Sequence, residues 1–177
     1  MSPRYDVPNA APEPLRQVQL LVNSADVEND VDWLPDWLAE RGAGDELERA
    51  RALREALRSL ALANNSFAVA DTAFRNDALR VVNDAATRLS IRLGADGAVR
   101  VESDGDPLDA IVAVALNAML DGTWGRLKAC RNCHWSFYDR SPNRSATWCS
   151  MQLCGNRTKT RAYRRRKSTG RVDRRDA

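Results

Sequence analysis

The residues of this chain with the clearest chemical capacity are its cysteines, which all fall within one stretch of 25 residues. They form two pairs with the pattern C-x2-C-x15-C-x4-C: Cys130, Cys133, Cys149 and Cys154. In a reducing compartment, cysteines clustered in pairs are better explained as thiolates on a metal ion than as disulfides. Zinc suits such a set, because it accepts four sulfur ligands tetrahedrally and has no redox chemistry of its own. The sequence therefore predicts one structural zinc ion per chain, held by these four side chains.

Two alternatives concern the same site. His134, the only histidine, follows a ligand cysteine and offers a substitute ligand, although four cysteines already complete a tetrahedron. A site closed by four thiolates leaves no position for the water molecule that a catalytic zinc requires. Because thiolates oxidise, a redox sensor that releases its zinc is the other alternative to a structural site.

The segment that follows the last cysteine is rich in arginine and lysine, and we expect it to be helical. Arg157, Arg161 and Arg164 recur at intervals of four and three residues, which places them on one face of a helix. Guanidinium groups on that face can bind phosphates or the acceptor edge of guanine in the major groove. If about six cations displaced counterions from duplex DNA, the log–log salt slope of the affinity would be about −5. The residues predicted to contact nucleic acid are Arg157, Lys159, Arg161, Arg164, Arg165, Arg166 and Lys167.

The charge of the chain is divided unequally along its length. Residues 1–125 contain 12 Lys and Arg against 21 Asp and Glu, a net charge of −9. Residues 126–177 contain 15 against 3, a net charge of +12. An acidic body joined to a strongly basic carboxyl-terminal part favours a polyanionic partner. The alternatives are a basic tail that is only solvated, and binding of nucleic acid without sequence preference.

Short elements around the cysteines are needed to bring the two pairs together. We expect a strand over residues 126–129, a tight turn between the first two cysteines, and an aromatic-rich strand over residues 134–139. Ser150 is a suitable cap for a helix over residues 151–167. These elements describe a treble-clef-like four-cysteine zinc module with a basic C-terminal helix. Such a module is too small to bury a core unaided, so its folding is expected to depend on the metal.

The upstream body has the apolar periodicity of helices. Helices are expected over residues 31–41, 45–60, 71–85 and 107–120. Alternation of apolar and polar residues on both sides of Gly94-Ala95-Asp96-Gly97 predicts a β-hairpin, whereas residues 15–23 fit a helix or a strand equally well. Trp33 and Trp37 are expected in the core, and Arg54 on a polar helix face. The predicted fold class is α+β, with a mostly helical amino-terminal domain that includes a small β-hairpin, followed by the zinc module.

The amino terminus and the longest apolar stretch bear on where the protein resides. Residues 1–14 contain spaced prolines but neither a basic patch nor an apolar run, so we expect a flexible leader and no secretory signal. Residues 108–120 are too few to cross a bilayer, which takes roughly 20 residues. The sequence therefore predicts a cytoplasmic protein without a membrane partner. The expected divisions are a leader over residues 1–14, a regulatory domain over 15–125, a zinc finger over 126–167 and a basic flexible tail over 168–177.

The cysteine-containing segment resembles the CGNR zinc finger over residues 126–167. The residues that carry this resemblance are Cys130-x2-Cys133, Phe137-Tyr138-Asp139, Trp148-Cys149-Ser150-Met151 and Cys154-Gly155-Asn156-Arg157. The upstream part, with Leu21-Val22-Asn23-Ser24 near its start, is similar to the ABATE domain that accompanies this finger in stress-induced transcriptional regulators of bacteria. The resemblance implies a zinc-dependent, DNA-binding regulator whose ABATE-like domain senses a ligand or mediates assembly. It also makes Asn23 a candidate for a ligand pocket, with a local capping role as the alternative.

The sequence is compatible with several functions. The leading hypothesis is a transcriptional regulator that is not an enzyme and binds duplex DNA, with a homodimer and a small-molecule effector as further partners to be tested. An RNA-binding alternative uses Trp135, Phe137 and Tyr138 as stacking surfaces for unpaired bases. In a protein-interaction alternative, the basic helix docks on the acidic body of another copy. A carboxylate-based enzyme is the remaining alternative, although residues 1–125 contain no histidine or cysteine.

Overall fold

The computed structural model describes residues 9–65 and 72–172 and has an α+β fold. The helices are α1 (Leu15–Val22), α2 (Leu34–Ala39), α3 (Leu47–Asn64), α4 (Thr72–Ala86), α5 (Pro107–Leu120) and α6 (Asn156–Val172). The strands are β1 (Ala25–Asp26), β2 (Val31–Asp32), β3 (Ser90–Leu93), β4 (Val99–Glu102), β5 (Leu127–Ala129) and β6 (Ser136–Tyr138). They pair antiparallel as three two-stranded sheets, β1 with β2, β3 with β4 and β5 with β6. The predicted fold class is confirmed.

The main core forms where α1, α3, α4 and α5 pack on one another. Helix α5 is the most apolar of them and buries Leu108, Ile111 and Val112. Its start is fixed by Asp106, whose carboxylate accepts hydrogen bonds from the amides of Leu108 at 2.9 Å and Asp109 at 2.8 Å. Proline in the first turn costs nothing there, because the first amides of a helix have no intrahelical partner. The helix predicted over residues 107–120 from its apolar periodicity is therefore present, and Asp106 caps its start.

The segment around the first two tryptophans differs from its prediction. Residues 31–32 form strand β2, and α2 begins only at Leu34, whose amide donates to Asp32 Oδ1 at 3.0 Å. Residues 31–32 pair with β1, and the Asp32 carboxylate accepts an amide at the start of the helix as an N-terminal cap does, so the helix begins after this pair of residues. Trp37 is buried in the main core as predicted, whereas Trp33 is only half-buried and packs against the cysteine cluster. The ambiguous segment 15–23 forms helix α1.

Two arginines of α3 are buried, which corrects the prediction that Arg54 lies on a polar face. The hairpin formed by β1 and β2 covers that face of the helix. Arg54 forms a two-pronged ion pair with Asp32 at 2.6 and 3.1 Å, and Arg58 donates to the carbonyl of Val22 at 2.5 Å. The ion pair with Asp32 offsets the cost of burying the Arg54 guanidinium, whereas Arg58 Nε is buried without a hydrogen-bond partner among the described residues. Arg54 therefore fastens the hairpin to α3, and Arg58 joins α3 to the end of α1.

The predicted hairpin around residues 94–97 is present as β3 and β4. It is held to the body at the edge of β4, where Asn117 of α5 bonds both backbone groups of Val101. The Val101 amide donates to Asn117 Oδ1 at 2.9 Å, and Asn117 Nδ2 donates to the Val101 carbonyl at 2.8 Å. A single amide side chain thus occupies the position of a neighbouring strand.

The leader expected over residues 1–14 has an anchored portion. Residues 1–8 lie outside the described part of the chain, but the backbone of Asn9 accepts a hydrogen bond from the Tyr138 amide at 2.8 Å. The amide of Ala11 donates to Gln19 Oε1 at 2.7 Å, and Ala11 is buried. From Asn9 onward the segment therefore packs along the outer edge of β6.

The β5–β6 sheet joins the carboxyl-terminal part of the chain to the helical body. Leu127 and Tyr138 belong to the main core, and the end of α3 holds the adjoining backbone. Asn64 Nδ2 donates to the Leu127 carbonyl at 2.9 Å, and Asn65 Nδ2 donates to the Ala129 carbonyl at 2.8 Å. The small module therefore shares burial with the larger body, which supplies the core that it is too small to form alone.

Candidate metal centre and nucleic-acid interface

The four cysteine side chains converge in the carboxyl-terminal part of the structure. Their sulfur atoms all lie within 4.8 Å of one another, and all four residues are buried. Cys133 Sγ lies 3.6 Å from Cys149 Sγ and 3.5 Å from Cys154 Sγ, and the last two sulfurs are 3.7 Å apart. Disulfide sulfurs would be about 2.05 Å apart, so these are free thiols placed around a common centre.

This arrangement fits one zinc ion. Four thiolates at a Zn–S distance of about 2.3 Å in a tetrahedron would be about 3.8 Å apart, close to the separations found here. Hydrogen bonding with Cys130 and burial raise the pKa of the Cys133 thiol to about 12, and similar causes raise the pKa of Cys149. Four buried sulfurs therefore cannot all ionise without a cation among them, and a divalent ion supplies the missing charge. The four-cysteine set is complete, as a structural zinc site requires.

The first cysteine pair lies in a turn between β5 and β6. The Cys130 amide donates to the Trp135 carbonyl at 2.9 Å, and the His134 amide donates to the Cys130 carbonyl at 2.9 Å. His134 occupies the left-handed region with φ 60°, which lets the chain reverse directly after Cys133. The metal-binding group among the described residues consists of the four cysteines, so His134 shapes the turn without joining it.

The second cysteine pair lies at the start of the carboxyl-terminal helix. Ser150 caps this start as predicted, because its hydroxyl accepts from the Leu153 amide at 3.3 Å. Residues Met151–Gly155 form one wide π-helical turn before α6 begins at Asn156. A Cβ on Gly155 would lie 3.2 Å from the Trp148 ring and 2.7 Å from Met151 Sδ, so a larger residue here would require the Met151 side chain to move. The wide turn carries Cys154 inward to the other sulfurs and thereby fixes the start of α6 on the metal centre.

Asn132, between the first two cysteines, connects the metal centre to the basic helix. Its Nδ2 donates to Cys154 Sγ at 3.7 Å, and its Oδ1 accepts from the Arg161 guanidinium at 3.3 Å. Such contacts orient ligands and support the negative charge on sulfur. The spacing of the cysteines predicts the turn but not this role of Asn132, because it does not show what the intervening side chains contact.

The aromatic residues proposed as stacking surfaces for RNA are buried. Trp135 is 4% exposed, Phe137 1% and Tyr138 8%. Trp135 and Phe137 pack around the cysteines, and Tyr138 joins the main core. These side chains therefore stabilise the module and have no free ring face for a base, so the prediction that they stack on RNA bases is wrong. Tyr163 on α6 is the exposed aromatic residue of this region, at 60%.

The basic residues of α6 differ in whether their side chains contact other parts of the protein. Arg157 forms an ion pair with Glu28 of the β1–β2 hairpin, and Arg161 bonds Asn132. These two predicted DNA contacts therefore engage protein groups in this structure. The side chain of Arg166 lies outside the described part, as do Arg174 and Arg175. Exposed basic side chains are those of Arg157, Lys159, Arg161, Arg164, Arg165 and Lys167.

The orientation of α6 follows from its periodicity. Thr158 and Ala162, the half-buried positions, mark the side that packs on the module. At 100° per residue, Tyr163, Arg164 and Lys167 lie on the opposite side. Within the described residues, Arg164, Lys167 and the flanking Lys159 form no ion pair. The outward basic face, defined here as Lys159, Arg164 and Lys167, is thus the part of the helix most open to a large anionic partner.

Asn23, the candidate for a ligand pocket, joins the body to the zinc module. Its Nδ2 donates to the Ser136 carbonyl at 2.9 Å, and its Oδ1 accepts from the Ser136 amide at 2.7 Å. The Asn23 side chain thus pairs with the edge of β6, although the two residues are 113 positions apart in the sequence. A cavity of about 270 Å³ beside the β1–β2 hairpin is lined by Ala25, Asp26, Val27, Asp30, Val31, Asp32, Arg54, Glu55 and Arg58, and not by Asn23. A pocket at Asn23 stays a prediction.

A buried ion pair supports the backbone that leads to the second cysteine pair. Lys128 Nζ lies 2.7 Å from Asp139 Oδ2 and also donates to the Ala146 carbonyl at 3.1 Å. Asp139 additionally accepts from the amides of Ser141 at 2.9 Å and Ala146 at 3.0 Å. Burial acts to raise the pKa of Asp139, but the hydrogen bonds from Lys128 and Ser141 outweigh it, so the pKa lies below its usual value of 3.8.

Asp139→Asn is expected to destabilise the protein by about 3 kcal/mol or more, because it leaves the Lys128 ammonium buried without its counter-charge. The pKa of Asp139 is lowered on folding, so its contribution is fully present above pH 3.8 and is lost as the pH falls through the folded value. Denaturant unfolding should thus give the same difference between wild type and variant at pH 7.5 and pH 5.5. Asp77→Asn on the exposed side of α4 is the control. A difference below about 1 kcal/mol, the usual value for surface pairs, would contradict this assignment.

No helix in residues 9–65 and 72–172 is both long enough and apolar enough to cross a bilayer.

Comparison with known families gives two matches in the order expected from the sequence. Residues 18–122 match the ABATE family, described as "Putative stress-induced transcription regulator", and residues 126–167 match the CGNR zinc finger. No match to the chain is found among curated proteins. Since the first match covers more than half of the sequence and the second contains the metal centre, the chain belongs to the ABATE family and carries a CGNR zinc finger.

Proposed function

We propose that this protein is a zinc-dependent regulator that binds duplex DNA through the outward basic face of α6. The observation that carries the proposal is a helix with a solvent-exposed basic face whose first turn is built on the four-cysteine centre. Zinc fixes the amino-terminal end of α6. The residues of the module that pack in the main core hold the module on the acidic body. In this proposal the body senses a ligand or mediates assembly, and the protein regulates transcription in the bacterial cytoplasm under stress.

A duplex is the partner best matched to the shape and charge of α6. An α-helix fits the major groove of B-DNA, where arginine and lysine can reach guanine and flanking side chains can bind phosphates. Tyr163 lies beside Arg164 on the same side and can contact a sugar or a base edge. The acidic body would repel the phosphate backbone, so binding through the opposite, outward side of α6 keeps that body away from DNA.

RNA is the second candidate, but its physical support is weaker. Single-stranded RNA is bound largely through stacking on exposed aromatic rings. Trp135, Phe137 and Tyr138 are buried, which leaves Tyr163 as the stacking residue of the described module. We therefore propose duplex DNA, and not RNA, as the partner of this module.

Asp32 and Asp106 do not have the pKa that a general acid needs. Burial raises the pKa of Asp32 and Asp106, but hydrogen bonds, from Arg54 to Asp32 and from the Asp109 amide and Arg49 to Asp106, outweigh it and lower both pKa values. A general acid that works near neutral pH needs a raised pKa instead. The family matches, to a transcription regulator and a zinc finger, point in the same direction.

The contact between Glu28 and Arg157 is expected to restrain DNA binding. The Glu28 carboxylate occupies a guanidinium that a phosphate would otherwise take. Glu28→Gln should therefore raise affinity for duplex DNA by about two- to fivefold, which corresponds to the usual free energy of an exposed ion pair. Measured by fluorescence anisotropy, the gain should vanish when Arg157→Ala is also present. Glu48→Gln, on an exposed side of α3, is the control, and an equal gain from it would mean that only net charge matters.

The proposal is tested by anisotropy titration of zinc-loaded protein against random duplex DNA over a series of salt concentrations. Three to six phosphate contacts predict a log–log slope between about −3 and −5. Unlabelled duplex should compete better than unlabelled single-stranded RNA of equal length. Absence of binding at about 50 mM salt would reject a nucleic-acid role, whereas preferential competition by RNA would favour the second candidate.

A further inference from the structure

Three arginines recur on one side of α6, but their surroundings differ. Arg157 forms an ion pair with the Glu28 carboxylate, which neutralises its charge. Arg161 donates to the neutral amide oxygen of Asn132 at 3.3 Å. Within the described residues Arg161 forms no ion pair, and neither does the exposed Arg164. Of the three, Arg161 is therefore the arginine that is held in place and also keeps its full positive charge.

The side-chain amide of Asn132 can serve both of its neighbours in one orientation only. A thiolate accepts hydrogen bonds, so the amide must present its Nδ2 donor to Cys154 Sγ, which lies 3.7 Å away. A guanidinium has donors alone, so the amide must present its Oδ1 acceptor to Arg161. Because Asn132 is thus fixed by a sulfur of the metal centre, the metal centre determines where the Arg161 guanidinium lies.

Arg161 lies beside the outward basic face, on its metal-centre side. At 100° per residue it is about 60° from Arg164 around the helix axis and nearly one turn closer to the start of α6. Asn132 occupies one donor of its Nη1, and the other guanidinium donors have no partner among the described residues. Helices in the major groove contact base edges with residues near their start, while flanking residues bind phosphates. Arg161 occupies the first kind of position, and Lys167 the second.

We propose that Arg161 recognises guanine in the major groove of the bound duplex, and that Asn132 is its positioning residue. Guanine presents two adjacent acceptors, O6 and N7, whereas adenine presents one acceptor beside a donor. A planar guanidinium that is already oriented loses little conformational entropy when it donates to both acceptors. Contact with a phosphate needs no such anchor, because it carries no sequence information. The inference rests on the proposed function and adds a base preference to it.

A neutral amide suits this positioning role better than a carboxylate would. A carboxylate would also orient the guanidinium, but it would cancel its charge, as Glu28 does for Arg157. It would also lack the donor that Cys154 Sγ accepts, and it would add negative charge beside the sulfur ligands. Asn132 therefore orients Arg161 without lowering the attraction of its guanidinium for DNA.

The test compares the affinities of the zinc-loaded chain for two random-sequence duplexes that differ only at guanine. In the second duplex 7-deazaguanine replaces guanine, which removes the N7 acceptor and keeps the base pairs and the phosphate charge. Wild type should bind the first duplex about three- to tenfold more tightly in anisotropy titrations, since one of two hydrogen bonds is lost. Arg161→Lys keeps the charge but not the planar guanidinium, so it should reduce this ratio to below about twofold. Asn132→Ala should lower the ratio in the same direction.

Arg164→Ala is the matched control, because it removes an arginine of the same helix whose side chain has no partner among the described residues. It should weaken binding to both duplexes equally and leave the ratio unchanged. Adding Asn132→Ala to Arg161→Lys should not change the ratio further, since both substitutions act through one contact. Zinc content measured by atomic emission should match wild type in each variant, because all four cysteines are retained.

The outcomes separate failure of this inference from failure of the proposed function. Equal binding of the two duplexes by wild type would overturn guanine recognition while duplex binding stands. A ratio that Arg161→Lys leaves unchanged would overturn the role of Arg161, and a ratio that Asn132→Ala leaves unchanged would overturn the positioning role. Absence of binding to either duplex at about 50 mM salt would reject the proposed function and this inference together.

Discussion

Loss of the zinc ion unfolds the module and weakens the whole protein, and this is the largest effect that we expect. Cys149→Ser combined with Cys154→Ser removes two of four ligands, so zinc measured by atomic emission should fall from one ion per chain to none. Apparent zinc-binding free energies of about 10–16 kcal/mol are comparable with the entire stability of a domain. Because Leu127 and Tyr138 belong to the main core, the thermal midpoint of the helical body should fall as well.

The matched control replaces two residues of the same turn that do not face the metal. Met151→Ser with Leu153→Ser introduces the same side chains at positions that are 50% and 52% exposed. This variant should bind one zinc and unfold near the wild-type temperature. Tryptophan fluorescence adds a local signal, since Trp135 is buried against the cysteines. A cysteine variant that retained full zinc and the wild-type thermal midpoint would contradict the four-ligand site.

Loss of the outward basic face should abolish most DNA affinity while leaving the fold intact. Lys159→Ala, Arg164→Ala and Lys167→Ala together are expected to weaken duplex binding about 100-fold at low salt and to flatten the salt slope by about 3. All three side chains are exposed and lie away from the packed side of α6, so zinc content and thermal stability should not change. Anisotropy titration at three or more salt concentrations measures both quantities.

The control for this variant is a triple substitution that removes the same number of positive charges from the acidic body. Arg16→Ala, Arg75→Ala and Arg80→Ala remove three exposed arginines from the acidic part of the chain. If binding depends on the face of α6, this control should alter affinity by less than about threefold, since distant charges are largely screened. Equal losses in the two triple variants would show that net charge, and not the outward face, determines binding.

The metal centre could be predicted from sequence because its information is local. Four cysteines in two pairs limit the chemistry to few metals, and Ser150 ahead of the last cysteine predicts the start of a helix. Helix α5 could also be predicted, since an apolar run follows Asp106 and Pro107. In each case, neighbours within a few residues determine the structure.

Features that depend on distant contacts could not be predicted. Asn23 bonds Ser136 across 113 residues, and nothing in its surroundings in sequence distinguishes it from a capping residue. Arg54 is buried because the β1–β2 hairpin folds over it, although its spacing along α3 is typical of a polar face. The contact of Arg157 with Glu28 spans 129 residues, so the basic helix could be predicted but not which of its arginines are engaged.

The most direct test of the account is duplex binding by one protein sample before zinc removal, after removal by a chelator, and after zinc is restored. We predict salt-sensitive binding by the zinc-loaded chain, its loss when the metal is removed, and its recovery when one equivalent of zinc returns. Circular dichroism of the same samples should show the module unfolding and refolding in parallel. Binding with an unchanged salt slope after complete removal of zinc would contradict the claim that the metal centre holds the DNA-binding helix.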